Sequence, residues 1–126
     1  MKSVVYDAGV LIAADRNERR VWAEHRVRLE AGVLPLVPAP VVAQASRSPK
    51  QAQMRRFLRG CEIAVFDEAD AHRSGALLGK SRTSDVVDAS VATLAIRHHL
   101  DIVSDDADDL RRLLAGTRTR PAILDI

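Results

Sequence analysis

The sequence has one cysteine, four aromatic residues and three lysines. The single cysteine, Cys61, cannot form a disulfide within the chain or supply a multi-cysteine metal site. The aromatic residues lie singly on apolar stretches, so they provide no base-stacking platform of the kind that RNA-recognition domains use. No apolar run approaches the roughly 18 residues of a membrane span, and the amino terminus has no cleavage region of a signal peptide. We therefore expect a cytoplasmic protein without membrane attachment.

Several catalytic motifs are also missing. The chain contains no GxSxG, no P-loop and no GxGxxG, and its four histidines show no HxxxH spacing. A phosphatase of the haloacid-dehalogenase type needs a second aspartate two residues after its first, but here Gly9 follows Asp7 at that distance. These absences exclude the common serine hydrolases, nucleotide-binding enzymes and histidine-based zinc sites.

What is abundant is arginine. The 126 residues carry a net charge of only +2, and sixteen of the nineteen basic residues are arginines. Arginine binds phosphate bidentately, which lysine cannot do. The other interpretation is that these arginines cover solvated helix faces, and a net charge of +2 is weak evidence for a nucleic-acid partner. A chain of this length, 47% hydrophobic and 29% charged, is typical of one soluble domain spanning residues 1–126.

Strand-like and helix-like segments alternate along the chain. This order predicts an α/β protein with a mostly parallel sheet of four to five strands, covered by helices on both faces. In such proteins, ligands bind beyond the carboxyl ends of the strands. The predicted strands are 3–6, 34–37, 62–66, 101–104 and 122–124. The predicted helices are 11–14, 18–31, 41–46, 49–59, 68–78, 83–96 and 108–114, with a loop over 80–83.

The segment TSDVVDASVATLAI, residues 83–96, contains two aspartates within an apolar helix pattern. On a helical wheel Ser90, Thr93 and Arg97 form a polar side, and Asp88 falls nearly opposite them. Asp88 is therefore predicted to face the protein interior. An ionised carboxylate in that position is costly, so it requires a partner or a bound proton.

Further carboxylates follow two of the predicted strands. Asp7 comes directly after SVVY, and Asp105 and Asp106 come directly after IVS. Together with Asp88, they converge on the carboxyl edge of the sheet, where unpaired carboxylates repel each other. A divalent cation removes this conflict, and oxygen ligands favour Mg²⁺ or Mn²⁺ over zinc.

Each of these acids also has a structural interpretation. Asp7 could cap the first helix, and Asp85, which follows Thr83 and Ser84, could favour the amino terminus of its helix. The four acids that follow the fourth strand cannot all be ligands, and spacing prefers Asp106 only modestly. These four are Asp105, Asp106, Asp108 and Asp109.

The segments VVYDAGVLIA, SDVVDASVATLA and IVSDDADDL resemble the three acidic motifs of the PIN domain. Their order, their spacing and the combination RTSDVVDA…DADDLRRL are similar to VapC toxins of toxin–antitoxin pairs. The resemblance implies a three-layer sandwich and a ribonuclease that uses Mg²⁺ or Mn²⁺ to activate water. It implies catalytic and metal-binding roles for Asp7, Asp88 and Asp106, with Asp85 as a further metal-binding candidate. Ser104 takes the place of a threonine of the motif.

The chain departs from the PIN pattern at one position. The helix after the second strand usually carries a glutamate, but here it reads PAPVVAQASR, with Gln44 at the matching position. A neutral amide then stands in place of a carboxylate. The alternative function is therefore a catalytically weak or silent PIN-like module that binds RNA or protein.

The resemblance also implies partners. VapC-like proteins act on RNA, commonly form homodimers and are inhibited by a VapB-like antitoxin. Candidate partner surfaces are the predicted helices over 18–31 and 49–59. Arg47 and Arg82 are the arginines that we expect to contact RNA phosphates near the acidic site.

Overall fold

A computed structural model describes all residues from 1 to 126. Five strands form one sheet in the order β3-β2-β1-β4-β5, and every neighbouring pair is parallel. This confirms the predicted α/β class and parallel sheet. The strands are β1 (Val4–Tyr6), β2 (Leu36–Pro38), β3 (Glu62–Ala64), β4 (Asp101–Ser104) and β5 (Ile123–Asp125).

Seven helices flank the sheet. The central strands β1 and β2 are buried at every residue, and side chains alternate between the two faces of a strand, so both faces of the sheet are covered. The edge strands β3 and β5 are largely exposed. The helices are α1 (Ala8–Asp15), α2 (Arg19–Glu30), α3 (Ala39–Ala45), α4 (Ala52–Leu58), α5 (Glu68–Ser81), α6 (Val86–His98) and α7 (Ala107–Leu114).

Three of the four aromatic residues pack together within or against the core. His25 stacks on Phe57 with ring centroids 3.9 Å apart, and Trp22 meets Phe57 edge-on. The Tyr6 hydroxyl lies 2.8 Å from His25 Nδ1, so both buried polar groups have a partner. Burial lowers the pKa of His25 to about 4. His25 is therefore a neutral core residue.

Helix α6 is buried around its whole circumference between Asp88 and Ala95. The predicted polar side does not mark the side away from the interior, because α5 packs against it. There the Thr93 hydroxyl lies 2.8 Å from the Ser74 hydroxyl, and Arg97 donates to Asp70. The prediction that Asp88 is buried holds, but α6 has protein on both sides.

Most of the predicted boundaries differ from the observed ones by one to three residues. Helix α5 does not end at Gly79 but continues to Ser81, and Arg82 then takes a left-handed conformation with φ 57°. Strand β3 ends at Ala64, two residues earlier than expected, because it pairs only with the three residues of β2. No helix has both the length and the apolar character that crossing a bilayer requires.

Candidate metal centre

Asp7 stands at the junction of β1 and α1 and is almost fully buried. Its Oδ1 accepts a hydrogen bond of 2.7 Å from the Ala8 backbone N–H, so it caps α1. Its Oδ2 accepts a second hydrogen bond, also 2.7 Å, from the Ser104 hydroxyl. The capping role and the position at the carboxyl edge of the sheet therefore occur together.

Ser104 connects two of the predicted site residues. It is the last residue of β4, next to β1 in the sheet, and is fully buried. While its hydroxyl donates to Asp7, its oxygen accepts a 2.9 Å hydrogen bond from the Asp106 backbone N–H. One side chain thus fixes both Asp7 and the start of the segment that carries Asp106.

Asp88 lies in the first turn of α6, with only 7% of its surface exposed. Its backbone N–H donates a 3.0 Å hydrogen bond to Asp85 Oδ1. Asp85 is exposed and is the N-cap residue of α6. The structural interpretation of Asp85 is therefore correct as far as capping is concerned, and Asp85 also lies in the groove described below.

Three carboxylates come together at the carboxyl edge. One oxygen each of Asp88, Asp106 and Asp109 lies within 4.8 Å of the others, a spacing that one cation could bridge. Asp109 was not singled out from the sequence. The available signal was its spacing of three residues from Asp106, which places both acids on one side of α7 if the helix begins between them.

The carboxylates at this edge lie close to one another without a cationic side chain to balance their charge. Burial raises the pKa of Asp88 to about 7, and the negative charges of nearby aspartates add to the rise. These aspartates are Asp7, Asp85, Asp106 and Asp109. The pKa values of Asp7 and Asp106 are also raised, in both cases mainly by burial. Asp88 has no ion pair with any arginine, lysine or histidine. A buried carboxylate among other carboxylates fits a hard divalent cation with oxygen ligands.

A groove of about 320 Å³ opens beside the cluster. Two arginines line it together with three of the acids: Arg82, which was expected to contact RNA, and Arg112, which was not singled out. The groove is lined by Arg82, Thr83, Ser84, Asp85, Asp88, Asp109, Arg112 and Leu113. Acidic and basic groups thus face the same space.

The remaining sequence candidates do not join the cluster. Gln44 is exposed on α3 and forms no hydrogen bond to the acids. The Arg47 guanidinium donates to the carbonyl oxygens of Ala43 and Ser46 at the end of the same helix. Asp105 lies over Gly9, where any added Cβ would collide with its carboxylate. Glycine at position 9 is therefore what allows Asp105 to lie against α1.

No family model and no curated protein matches the chain. Solved structures do. A toxin–antitoxin complex from Klebsiella pneumoniae has a chain with 20% identity and a TM-score of 0.66, covering 96% of this chain and 99% of that one. The chain has a PIN-like fold.

Two further solved structures share this PIN-like fold. VapBC2 from Rickettsia felis, bound to a DNA fragment from its promoter, matches with 14% identity, a TM-score of 0.70 and 98% of both chains covered. PAE2754 from Pyrobaculum aerophilum matches with 17% identity and a TM-score of 0.60, covering 98% of this chain and 91% of that one. The likeness to PIN-domain proteins of the VapC type is thus confirmed for the fold.

Proposed function

We propose that this chain is a VapC-like toxin that cleaves RNA with the help of Mg²⁺ or Mn²⁺. The observation that carries the proposal is the position of Asp88. Within a PIN-like fold, the nearly buried carboxylate of Asp88 lies within 4.8 Å of two others, and no cationic side chain is paired with it. Retaining such an arrangement is costly unless a cation binds there.

In this proposal Asp7, Asp88 and Asp106 are the catalytic acids, as the sequence motifs imply, and Asp109 adds a carboxylate to which the resemblance assigns no role. Asp88, Asp106 and Asp109 offer oxygen ligands directly. Asp7, fixed by Ser104 and Ala8, adds negative charge behind them. Asp85 holds the first turn of α6 and adds charge at the groove. A bound divalent cation would supply an activated water and neutralise charge on the scissile phosphate.

The partners of the proposed toxin are an RNA substrate, a VapB-like antitoxin and a second copy of the chain. Two of the structural neighbours support the antitoxin, since one is a toxin–antitoxin complex and the other is VapBC2. Helix α2, one of the two candidate partner surfaces, exposes the apolar side chains Val27 and Leu29. Co-purification of a small protein encoded next to this chain would support the antitoxin proposal.

A second candidate function is a PIN-like module that binds RNA or protein without efficient cleavage. Gln44 favours it, because the position that usually carries a glutamate offers no carboxylate. Asp109 argues against it, because the cluster still contains three acids. The two functions differ in whether RNA is cut when Mg²⁺ or Mn²⁺ is supplied.

The test is a titration of RNA cleavage with Mg²⁺ and Mn²⁺, run with the wild type, Asp7→Asn and Asp88→Asn. Asp108→Asn is the matched control, since Asp108 is on the same helix as Asp109 but pairs with Arg111 outside the cluster. We expect chelator-sensitive cleavage by the wild type and Asp108→Asn, and none by the other two. RNA binding without cleavage by the wild type would favour the binding module, and cleavage by Asp88→Asn would contradict the metal-centre proposal.

A further inference from the structure

Acidic and basic side chains line the groove beside the acidic cluster without pairing with each other. Asp85, Asp88 and Asp109 line it, and so do Arg82 and Arg112, yet neither guanidinium forms a hydrogen bond or an ion pair with these acids. We propose that Arg82 and Arg112 are positioning residues that together bind a phosphodiester of the RNA chain held against the carboxylate cluster. This inference rests on the proposed ribonuclease function and adds a phosphate-binding wall to it.

The two neighbouring arginines of α7 have different surroundings. Arg111 donates to Asp108 at 3.2 Å on the outside of the helix. Arg112 follows Asp109 by three residues, which puts both side chains on the groove side of α7. Local helix geometry therefore separates an arginine that has a partner from one whose guanidinium is available to a ligand.

Arg82 occupies a position where arginine is conformationally unfavourable. It is the C-cap of α5 with φ 57°, and its backbone N–H donates to the Leu78 carbonyl oxygen. Glycine or asparagine usually takes this left-handed conformation, because other side chains are strained in it. A strained residue at a groove is grounds for a functional hypothesis. Here the strained residue ends α5 and lines the same groove as Arg112.

Guanidinium chemistry suits this arrangement. Arginine offers a planar fork of donors that matches two phosphate oxygens, and it keeps its charge at any relevant pH. A phosphodiester between the acidic side and the two arginines would have cationic groups on both sides once a divalent ion is bound. The arginines would then set which phosphate of the chain lies at the carboxylates.

The test compares Arg112→Gln and Arg82→Asn with the matched control Arg111→Gln. Asparagine tolerates the left-handed conformation, and all three arginines are exposed, so we expect all variants to keep the fold and the wild-type Tm to within a few degrees. Binding of a fluorescently labelled single-stranded RNA of 12 nucleotides is followed by anisotropy in EDTA at several salt concentrations. Steady-state cleavage of the same RNA is followed in Mg²⁺.

Each groove variant should bind RNA about tenfold more weakly than the wild type. The slope of log affinity against log salt should fall by about 0.7 for each variant, the value for one lost phosphate contact on a single strand. Arg112→Lys should keep that slope but recover only part of the affinity, because lysine retains the charge and loses the fork. Cleavage should show a raised KM in Arg112→Gln and Arg82→Asn, with Arg111→Gln unchanged.

The outcomes separate this inference from the proposed function. If the wild type binds and cleaves RNA, and the groove variants behave like Arg111→Gln in affinity, salt slope and KM, the phosphate-binding wall is wrong and the ribonuclease proposal stands. If the wild type neither binds nor cleaves RNA, both are wrong.

Discussion

Asp70 and Asp88 are both buried aspartates near the start of a helix, but their surroundings are opposite. Asp70, on α5, accepts a 2.7 Å hydrogen bond from Arg97 and lies 3.5 Å from Arg73. It also completes a capping box with Asp67. Burial alone would raise its pKa, but the hydrogen bonds from Arg97 and Asp67 outweigh burial and hold the pKa below its usual range.

Asp88 has no such compensation. Burial and four neighbouring aspartates raise its pKa to about 7, and no arginine pairs with it. Two buried carboxylates thus differ in the sign of the charges around them. Asp70 stabilises the contact between α5 and α6 as an anion, whereas Asp88 costs stability as an anion until a cation is supplied. The comparison separates a structural carboxylate from a candidate ligand.

The largest expected effect is on catalysis. Asp88→Asn should lower RNA cleavage by more than about 100-fold, because residues that only support metal ligands already cost up to that much when they are replaced. Asp70→Asn should leave the cleavage rate of the folded enzyme nearly unchanged. Cleavage assays at 25 °C on folded protein, checked by circular dichroism, measure both. An equal loss of cleavage in Asp88→Asn and Asp70→Asn would contradict the distinction between a metal ligand and a structural carboxylate.

The second effect is on stability and should follow the reverse order. Asp70→Asn should lower the free energy of unfolding by about 2 kcal/mol, because it leaves the Arg97 guanidinium without its ionic partner. Arg97 is partly exposed and can take up water, so the loss should stay below the cost of breaking a fully buried ion pair. Urea unfolding at pH 7 measures the change. A variant as stable as the wild type would show that the contact contributes little.

The third effect concerns Asp109. Asp109→Asn should weaken Mg²⁺ binding by about tenfold, since it removes one of the three carboxylates that lie together. Asp108→Asn, one residue earlier on the same helix, is the control and should bind Mg²⁺ as the wild type does. The measurement is the Mg²⁺ concentration that gives half-maximal cleavage. Matching values for the two variants would remove Asp109 from the site.

The fourth effect is a pH dependence whose direction differs between the two aspartates. Between its ordinary value of 3.8 and about 7, Asp88 holds its proton in the folded state and releases it on unfolding. In a chelator, the contribution of Asp88 to stability should therefore fall as pH rises from about 4 to 7, while the buried neutral His25 contributes in the opposite direction. Asp88→Asn should be more stable than the wild type at pH 8 by about 1 kcal/mol. The lowered pKa of Asp70 acts in the other direction, adding stability that is lost as pH falls through the acidic range.

Tm measured against pH in EDTA, for the wild type and both variants, tests these two directions. Addition of Mg²⁺ at pH 8 should raise the Tm of the wild type and leave that of Asp88→Asn nearly unchanged. If the Tm difference between the wild type and Asp88→Asn does not change between pH 5 and 8, no proton is released from Asp88 in this range and the raised pKa of Asp88 is contradicted.

The smallest effect is expected at Gln44. Gln44→Glu should change the cleavage rate by less than about twofold, the range of an exposed substitution away from special features, because Asp109 already gives the cluster a third carboxylate. Cleavage at limiting Mg²⁺ is the sensitive measurement. A clearly faster Gln44→Glu enzyme would show instead that the absence of the PIN-pattern glutamate lowers the cleavage rate.

The sequence predicted the sheet and the burial of Asp88 because both depend on local patterns. Strand-end position brought Asp7 and Asp106 to one edge, and helical spacing turned Asp88 inward. The sequence could not predict that Arg97 pairs with Asp70, since this contact spans 27 residues and forms only when α5 packs on α6. For the same reason the spacing predicts that the polar side of α6 faces away from the interior, whereas α5 covers it.

The groove residues were missed for a different reason. Whether Asp109 and Arg112 face the cluster or the solvent depends on where α7 begins, and a shift of one residue turns the helix by about 100°. The structure begins α7 at Ala107, one residue before the predicted start. That start puts Asp109 beside Asp106 and turns Arg111 toward Asp108. The sequence shows the spacing of these residues within DADDLRR, but it does not show which side of the helix faces the cluster.

The most direct test of the account is a calorimetric titration of Mn²⁺ at pH 7 in two buffers of different ionisation enthalpy. Because the pKa of Asp88 is raised to about 7, Asp88 is partly protonated before binding, so the wild type should release this proton as the ion binds. Asp88→Asn should bind Mn²⁺ far more weakly and without that proton, while Asp70→Asn should bind as the wild type does. Equal Mn²⁺ affinity in the wild type and Asp88→Asn, or no binding by either, would contradict the claim that Asp88 is a cation ligand.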